Sequence, residues 1–73
     1  MEGRVKKVMS DVFNIDVSLI NNESSPDNIE NWDSLKHMNL IVALEEEFEI
    51  EFDGEEIVDS MNFALILNIL TSK

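Results

Sequence analysis

The sequence predicts an all-α domain, a four-helix bundle of three longer helices and one short helix, with a long loop between the first two. Apolar residues recur at helical spacing in separate blocks, and no run of alternating apolar and polar residues is long enough to argue for a sheet. At 73 residues and 44% hydrophobic content the chain can build one core, so residues 1–73 are read as a single domain.

The first block runs from Glu2 to Phe13, where Val5, Val8, Met9, Val12 and Phe13 follow the i, i+3, i+4, i+7, i+8 pattern of a helix buried on one side. Asn14-Ile15-Asp16 ends it. A connection rich in Asn, Ser and Asp and holding the only proline, Pro26, continues to about Asp33. So long a loop in a small domain needs anchoring, and Val17, Leu19, Ile20, Ile29 and Trp32 are the residues expected to pin it to the core. The second helix begins near Asp33 or Ser34, either of which can cap it by accepting a backbone N–H, and reaches about Glu49. Ile50-Glu51-Phe52 alternates briefly, and Asp53-Gly54-Glu55-Glu56 turns into a short helix through Ile57 and Val58. Asn62 caps the last helix, Phe63 to about Thr71, with Phe63, Ile66, Leu67 and Leu70 inward.

Sixteen acidic residues against five basic ones leave a formal charge of −11, which repels nucleic acid and anionic membranes and makes a basic protein surface the natural counterpart. There is no cysteine, so any thiol chemistry must be imported. The N-terminal Met1-Glu2-Gly3-Arg4-Val5-Lys6-Lys7 does not lead into a signal-peptide core, and the longest apolar run, Phe63 to Leu67, is far too short to span a bilayer; the expected location is the cytoplasm. The acidic block has no D-x-D-x-D-G loop, and no high-affinity metal site is expected. His37 has no second His, Cys or nucleophile to complete a site and is read as structural or surface; Trp32 is read as a loop anchor, and the methionines as core fillers, with Met38 the exception.

On the second helix, at about 100° per residue, Leu40, Leu44 and Phe48 form one stripe with His37 beside them, enough for burial. Ser34, Met38 and Val42 form a second stripe, flanked by Ile41 and extended by Glu45 and Glu49. Either another helix covers Met38 and Val42, or this strip is an interface with an apolar centre and an acidic rim. Asp33 and Ser34 likewise read either as simple helix caps or as a site.

Asp33-Ser34-Leu35, then Ala43-Leu44-Glu45-Glu46-Glu47-Phe48 at a fixed distance, then Ile50-Glu51-Phe52 leading through Glu55-Glu56-Ile57 to a last helix: with these three segments in register the chain resembles the acyl carrier proteins over nearly its whole length. The tripeptide alone is unspecific; with the downstream signature it is specific. The resemblance implies that Ser34 is esterified with 4′-phosphopantetheine from coenzyme A, within the Asp33-Ser34-Leu35 tripeptide, and that Asp33 helps engage the phosphopantetheinyl transferase. The serine is then a passive nucleophile, because the transferase brings the base and metal, and the protein is not itself an enzyme. At a helix start its phosphodiester meets N–H groups and the positive end of the helix dipole. The resemblance further implies that Glu45, Glu46 and Glu55 contact Lys/Arg patches on acyl-loading and on acyl-transfer or condensing enzymes, that Met38, Ile41 and Val42 supply the apolar centre, and that Leu44, Phe48, Ile57 and Leu67 line an acyl pocket in a monomer.

The chain departs from the family pattern after the tripeptide, where Lys36 and His37 replace the acid that many fatty-acid carriers have, and before it, where Asn31 and Trp32 stand in place of glycine. These departures favour a dedicated carrier in a specialised pathway over general fatty-acid synthesis. The cargo, whether fatty, polyketide-like or aminoacyl as on a peptidyl carrier, stays open. The rival reading is an acidic helical interaction module in which Ser34 only caps a helix.

Overall fold

The computed structural model describes residues 2–73. Helices α1 (Glu2–Phe13), α2 (Ser34–Phe48), α3 (Gly54–Asp59) and α4 (Phe63–Ser72) are its regular elements, and a single 3₁₀ turn, Val17–Leu19, interrupts the long α1–α2 connection. The starts of α2, α3 and α4 each have a local cause. Asp33 Oδ1 accepts the Lys36 N–H at 2.8 Å ahead of α2, and Asn62 Oδ1 accepts the Leu65 N–H at 2.7 Å ahead of α4. Before α3, Asp53 and Glu56 exchange side-chain and backbone bonds in a capping box. Asn14 and Glu49 close α1 and α2 in the left-handed region, at φ 57° and 55°; asparagine adopts it readily, glutamate at a cost of about 1–2 kcal/mol.

Val5, Met9 and Phe13 of α1, Leu40, Ile41 and Leu44 of α2, and Phe63, Ile66 and Leu70 of α4 are buried together, each helix giving one side to a common core. α1 packs along α2. Arg4 clasps the far end of that pair: its guanidinium donates to Glu47 Oε2 at 2.9 Å and to the Glu47 carbonyl at 2.8 Å, and lies 4.5 Å over the Phe48 ring. A cation there also meets the negative end of the α2 dipole. The short α3 buries no side chain fully; only Ile57 leans on the core.

The long connection is ordered largely by its own polar side chains. Ser24 Oγ accepts the Asn21 N–H, Asn28 bonds the Ser25 N–H and the Glu23 carbonyl, and the Phe63 N–H reaches the Ser24 carbonyl at 2.9 Å. Of the five apolar residues expected to anchor this segment, Ile20, Ile29 and Trp32 do so, whereas Val17 and Leu19 are exposed. Asp16 caps the 3₁₀ turn through the Ser18 N–H, and the turn sets Val17 and Leu19 outward while Ile20, just beyond it, takes the core position. Met9 fills the core as expected; Met61 is substantially exposed, and Met1 lies outside the described residues.

Trp32 is the deepest of the three anchors in consequence. It lies against Phe13 with ring centroids 5.0 Å apart, and its Nε1–H donates to His37 Nδ1 at 3.0 Å inside the core. Trp32→Phe keeps an aromatic ring and leaves that nitrogen without its donor, so unfolding in urea followed by circular dichroism should show a loss of about 1–3 kcal/mol; an unchanged midpoint would show that the indole N–H contributes nothing.

Candidate functional site: the start of the second helix

A tight turn delivers Ser34 to the surface. The Trp32 N–H bonds the Ile29 carbonyl, the Asp33 N–H bonds the Asn31 carbonyl at 3.0 Å, and Asn31 Nδ2 ties the turn to the Phe13 carbonyl at 2.8 Å. With Trp32 drawn inward, Asp33 adopts an extended backbone and Ser34 becomes the first residue of α2, exposed to solvent. Asp33 therefore does cap the helix, and its cap leaves the Ser34 hydroxyl outside. His37, one turn further on, faces the other way: buried, with one ring nitrogen bonded to Trp32 and the other 2.7 Å from the Ile57 carbonyl, it is not available as a base for Ser34. The hydroxyl is accessible but not activated by its own chain, so a base must come from another protein.

A phosphate ester fits this position. The first-turn N–H groups of a 15-residue helix converge there, the Lys36 N–H being taken by the Asp33 side chain and the His37 N–H by the Asp33 carbonyl, and the Lys36 side chain stands two residues along.

The outer arc of α2 is apolar where a core has no use for it. Leu35 is 71% exposed, Met38 46% and Val42 50%, so no other helix covers Met38 and Val42. Ile41, expected among them, is 1% exposed; at about 100° per residue it falls on the side of His37 and Leu44 rather than beside Val42, and packs in the core. Leu35 takes its place in the strip, which its angle next to Val42 makes readable from the sequence.

The acids divide by task. Glu45, expected to face partners, is half-buried and its Oε2 accepts the Phe52 N–H at 2.8 Å, pinning the segment that leads to α3. Glu47 is held by Arg4 and Glu56 by Lys73 Nζ at 2.8 Å. Glu46 and Glu55 are exposed, Glu46 beside a groove of about 290 Å³ between α1 and α2 that Val8, Asp11, Val12, Ala43 and Glu47 also line. That Lys73 ammonium, with the Asp53 N–H, holds the Glu56 carboxyl below the usual glutamate range.

The four residues expected around an acyl pocket do not surround an open one. Leu44 is fully buried, and Phe48, Ile57 and Leu67 are half-buried against the core. Three surface grooves, between α1 and α2, around α3 and α4, and in the long connection, are lined by other side chains. Among the described residues no group of three His, Cys, Asp or Glu side chains is placed to hold a metal ion, and no helix is long and apolar enough to cross a membrane.

Comparison with known proteins gives the same direction at the level of sequence and of fold. An acyl carrier protein from Buchnera aphidicola subsp. Schizaphis graminum is 42% identical over 57 residues, which cover 77% of this chain and 71% of that protein. The solution structure of a holo acyl carrier protein from Geobacter metallireducens superposes with a TM-score of 0.88 at 32% identity, over 99% of this chain and 83% of its own. No protein-family model matches the chain.

Two outcomes follow from the placement of these side chains. Met38→Gln and Val42→Gln should leave stability within about 0.5 kcal/mol of the parent, while Ile41→Ala should cost about 2–5 kcal/mol; equal losses at all three would place Met38 and Val42 in the core. An NMR titration should show the Glu56 carboxyl protonating below the ordinary glutamate value of about 4.3, with Lys73→Met raising its midpoint. The sign follows from linkage: because the folded state lowers the value, the contribution of this carboxylate to holding α3 is complete above that range and is lost as pH falls through the folded midpoint.

Proposed function

The chain belongs to the acyl carrier protein family, and on that premise we propose that it holds acyl groups on a 4′-phosphopantetheine arm esterified to Ser34 and delivers them to partner enzymes. The observation that carries this is the exposed, unactivated Ser34 hydroxyl at the N-terminus of α2, with an exposed apolar strip immediately along the same helix. Members of this family are carriers, not catalysts. When attached, the arm supplies the thiol that the cysteine-free chain lacks, and that thiol carries the cargo as a thioester.

The residues of the chain divide the remaining work. Asp33, in the helix cap, and Leu35, projecting beside Ser34, are offered to the transferase that installs the arm. Met38 and Val42 with Leu35 form the small apolar centre, and the exposed Glu46 and Glu55 steer Lys/Arg patches of loading, transfer or condensing enzymes toward it. Glu45 shares its carboxylate with the Phe52 amide and reaches partners only with its remaining acceptor capacity. Fast, weak, salt-sensitive contacts suit a protein that visits several enzymes in turn. Leu44, Phe48, Ile57 and Leu67 line a cargo site once the helices part. Lys36 beside the arm reverses the charge usual in fatty-acid carriers, and this supports a specialised pathway.

Intact mass after incubation with coenzyme A, Mg²⁺ and a broad-specificity phosphopantetheinyl transferase tests the reading directly. The parent should gain one phosphopantetheinyl group and Ser34→Ala none, with the Ser34→Ala fold intact by circular dichroism. No gain with several transferases would leave an acidic interaction module.

A further inference from the structure

α3 is six residues long and buries no side chain fully, yet it presents Glu55 and Val58 to solvent in a defined place. Its first turn is held by the capping box and by Lys73 on Glu56. Its last turn is held by His37, whose Nε2 lies 2.7 Å from the Ile57 carbonyl; Ser60 Oγ donates to the same oxygen at 2.9 Å from the residue that closes α3. The other face of the relay is Trp32, whose ring lies 6.0 Å from the imidazole at an interplanar angle of 24°. An indole N–H can only donate, so Nδ1 must accept from it, and the imidazole is the neutral tautomer with its proton on Nε2, donating to Ile57. One buried side chain thus joins the residue two before Ser34 to the end of α3.

We propose that His37 is a positioning residue of the carrier site: seated against Trp32, it reaches from α2 to the Ile57 carbonyl and so fixes α3 relative to the Ser34 turn, so that partner enzymes meet the turn, the α2 strip and α3 as one rigid surface. This rests on the carrier reading of Ser34. The Ile57 carbonyl keeps Ser60 as a partner when His37 is changed, so what the imidazole adds is the tie between elements and not the satisfaction of a buried oxygen. A histidine that merely filled space would be replaced equally well by either polar near-isostere.

The two amides separate its two bonds. His37→Gln extends an N–H donor to the distance of Nε2 and preserves the link to Ile57; His37→Asn offers Trp32 an acceptor at the place of Nδ1 and stops short of α3. Amide hydrogen exchange on the unmodified chain should show α3 protection within about twofold of the parent for His37→Gln and reduced roughly three- to tenfold for His37→Asn, the range set by one net hydrogen bond. The loss is counted over and above any change in α1, so that general destabilisation is not mistaken for it, and the emission of Trp32, the one tryptophan, reports that its seat is kept. The kcat/KM for loading of Ser34 by the transferase should follow the same order. Equal α3 protection in the two variants overturns the proposal, as does α3 loosening without slower loading. A parent chain that accepts no arm instead overturns the carrier reading, and the exchange pattern distinguishes that failure from the first.

Discussion

The position of Ser34 depends on where Trp32 is buried. Residues 14–33 contain no long helix, and the backbone bonds within them are local turns that fix shape but not placement. Placement comes from three apolar side chains, helped by the Phe63 N–H on the Ser24 carbonyl and by Asn31 on the Phe13 carbonyl, and the apolar anchor nearest the site is Trp32, held between the Phe13 ring and His37. Because the indole goes inward, the two residues after it must come outward, and Asp33 is then free to cap α2 while Ser34 starts it. An aromatic ring of this size buries a large area and carries one donor that must be satisfied. His37 satisfies it and so makes the anchor of the loop and the tether of α3 parts of the same contact.

Strong negative charge is usually an undifferentiated solubilising surface, but here it is partly structural. Asp33, Asp53 and Glu56 cap helices, Glu45 captures a loop amide, and Glu47 receives Arg4, so several of the sixteen carboxylates are spent on backbone or cationic partners within the chain. The carboxylates left over, Glu46 and Glu55 among them, are the ones whose field extends into solvent. Electrostatic steering by such groups is long-ranged and undemanding in geometry, whereas the apolar strip demands contact; the pair lets a visitor be attracted before it is tested for fit.

The three longer helices are legible in the sequence because each carries a one-sided apolar period, joined in α2 and α4 by a capping residue, and the bounds found for α2 and α4 lie within a residue of those the pattern indicates. The start of α2 is legible to within a residue for the same reason, whereas periodicity alone leaves open whether Met38 and Val42 are covered, and only the packing shows them exposed. The less regular features have no periodic signature. Ile41 differs from Val42 by a single step of rotation, which a reading by stripes places on the wrong side. Val17 and Leu19 look like anchors by composition, but a three-residue turn decides which way they face. The bonds of Glu45 to Phe52 and of His37 to Ile57 join residues far enough apart that no spacing rule reveals them, and whether Leu44, Phe48, Ile57 and Leu67 enclose a space depends on packing density rather than on pattern.

The exposed strip of Leu35, Met38 and Val42 also has a colloidal consequence. Apolar side chains displayed side by side on a helix are the ordinary beginning of self-association, and a neutral protein bearing them would pair with its own copies. At a charge of −11 each copy repels every other, which opposes such pairing through the strip. The same charge that attracts cationic visitors thus acts as a filter on stickiness, and this filter weakens as counterions accumulate. In concentrated salt the chain should behave less like a courier and more like an ordinary amphipathic helix seeking a mate.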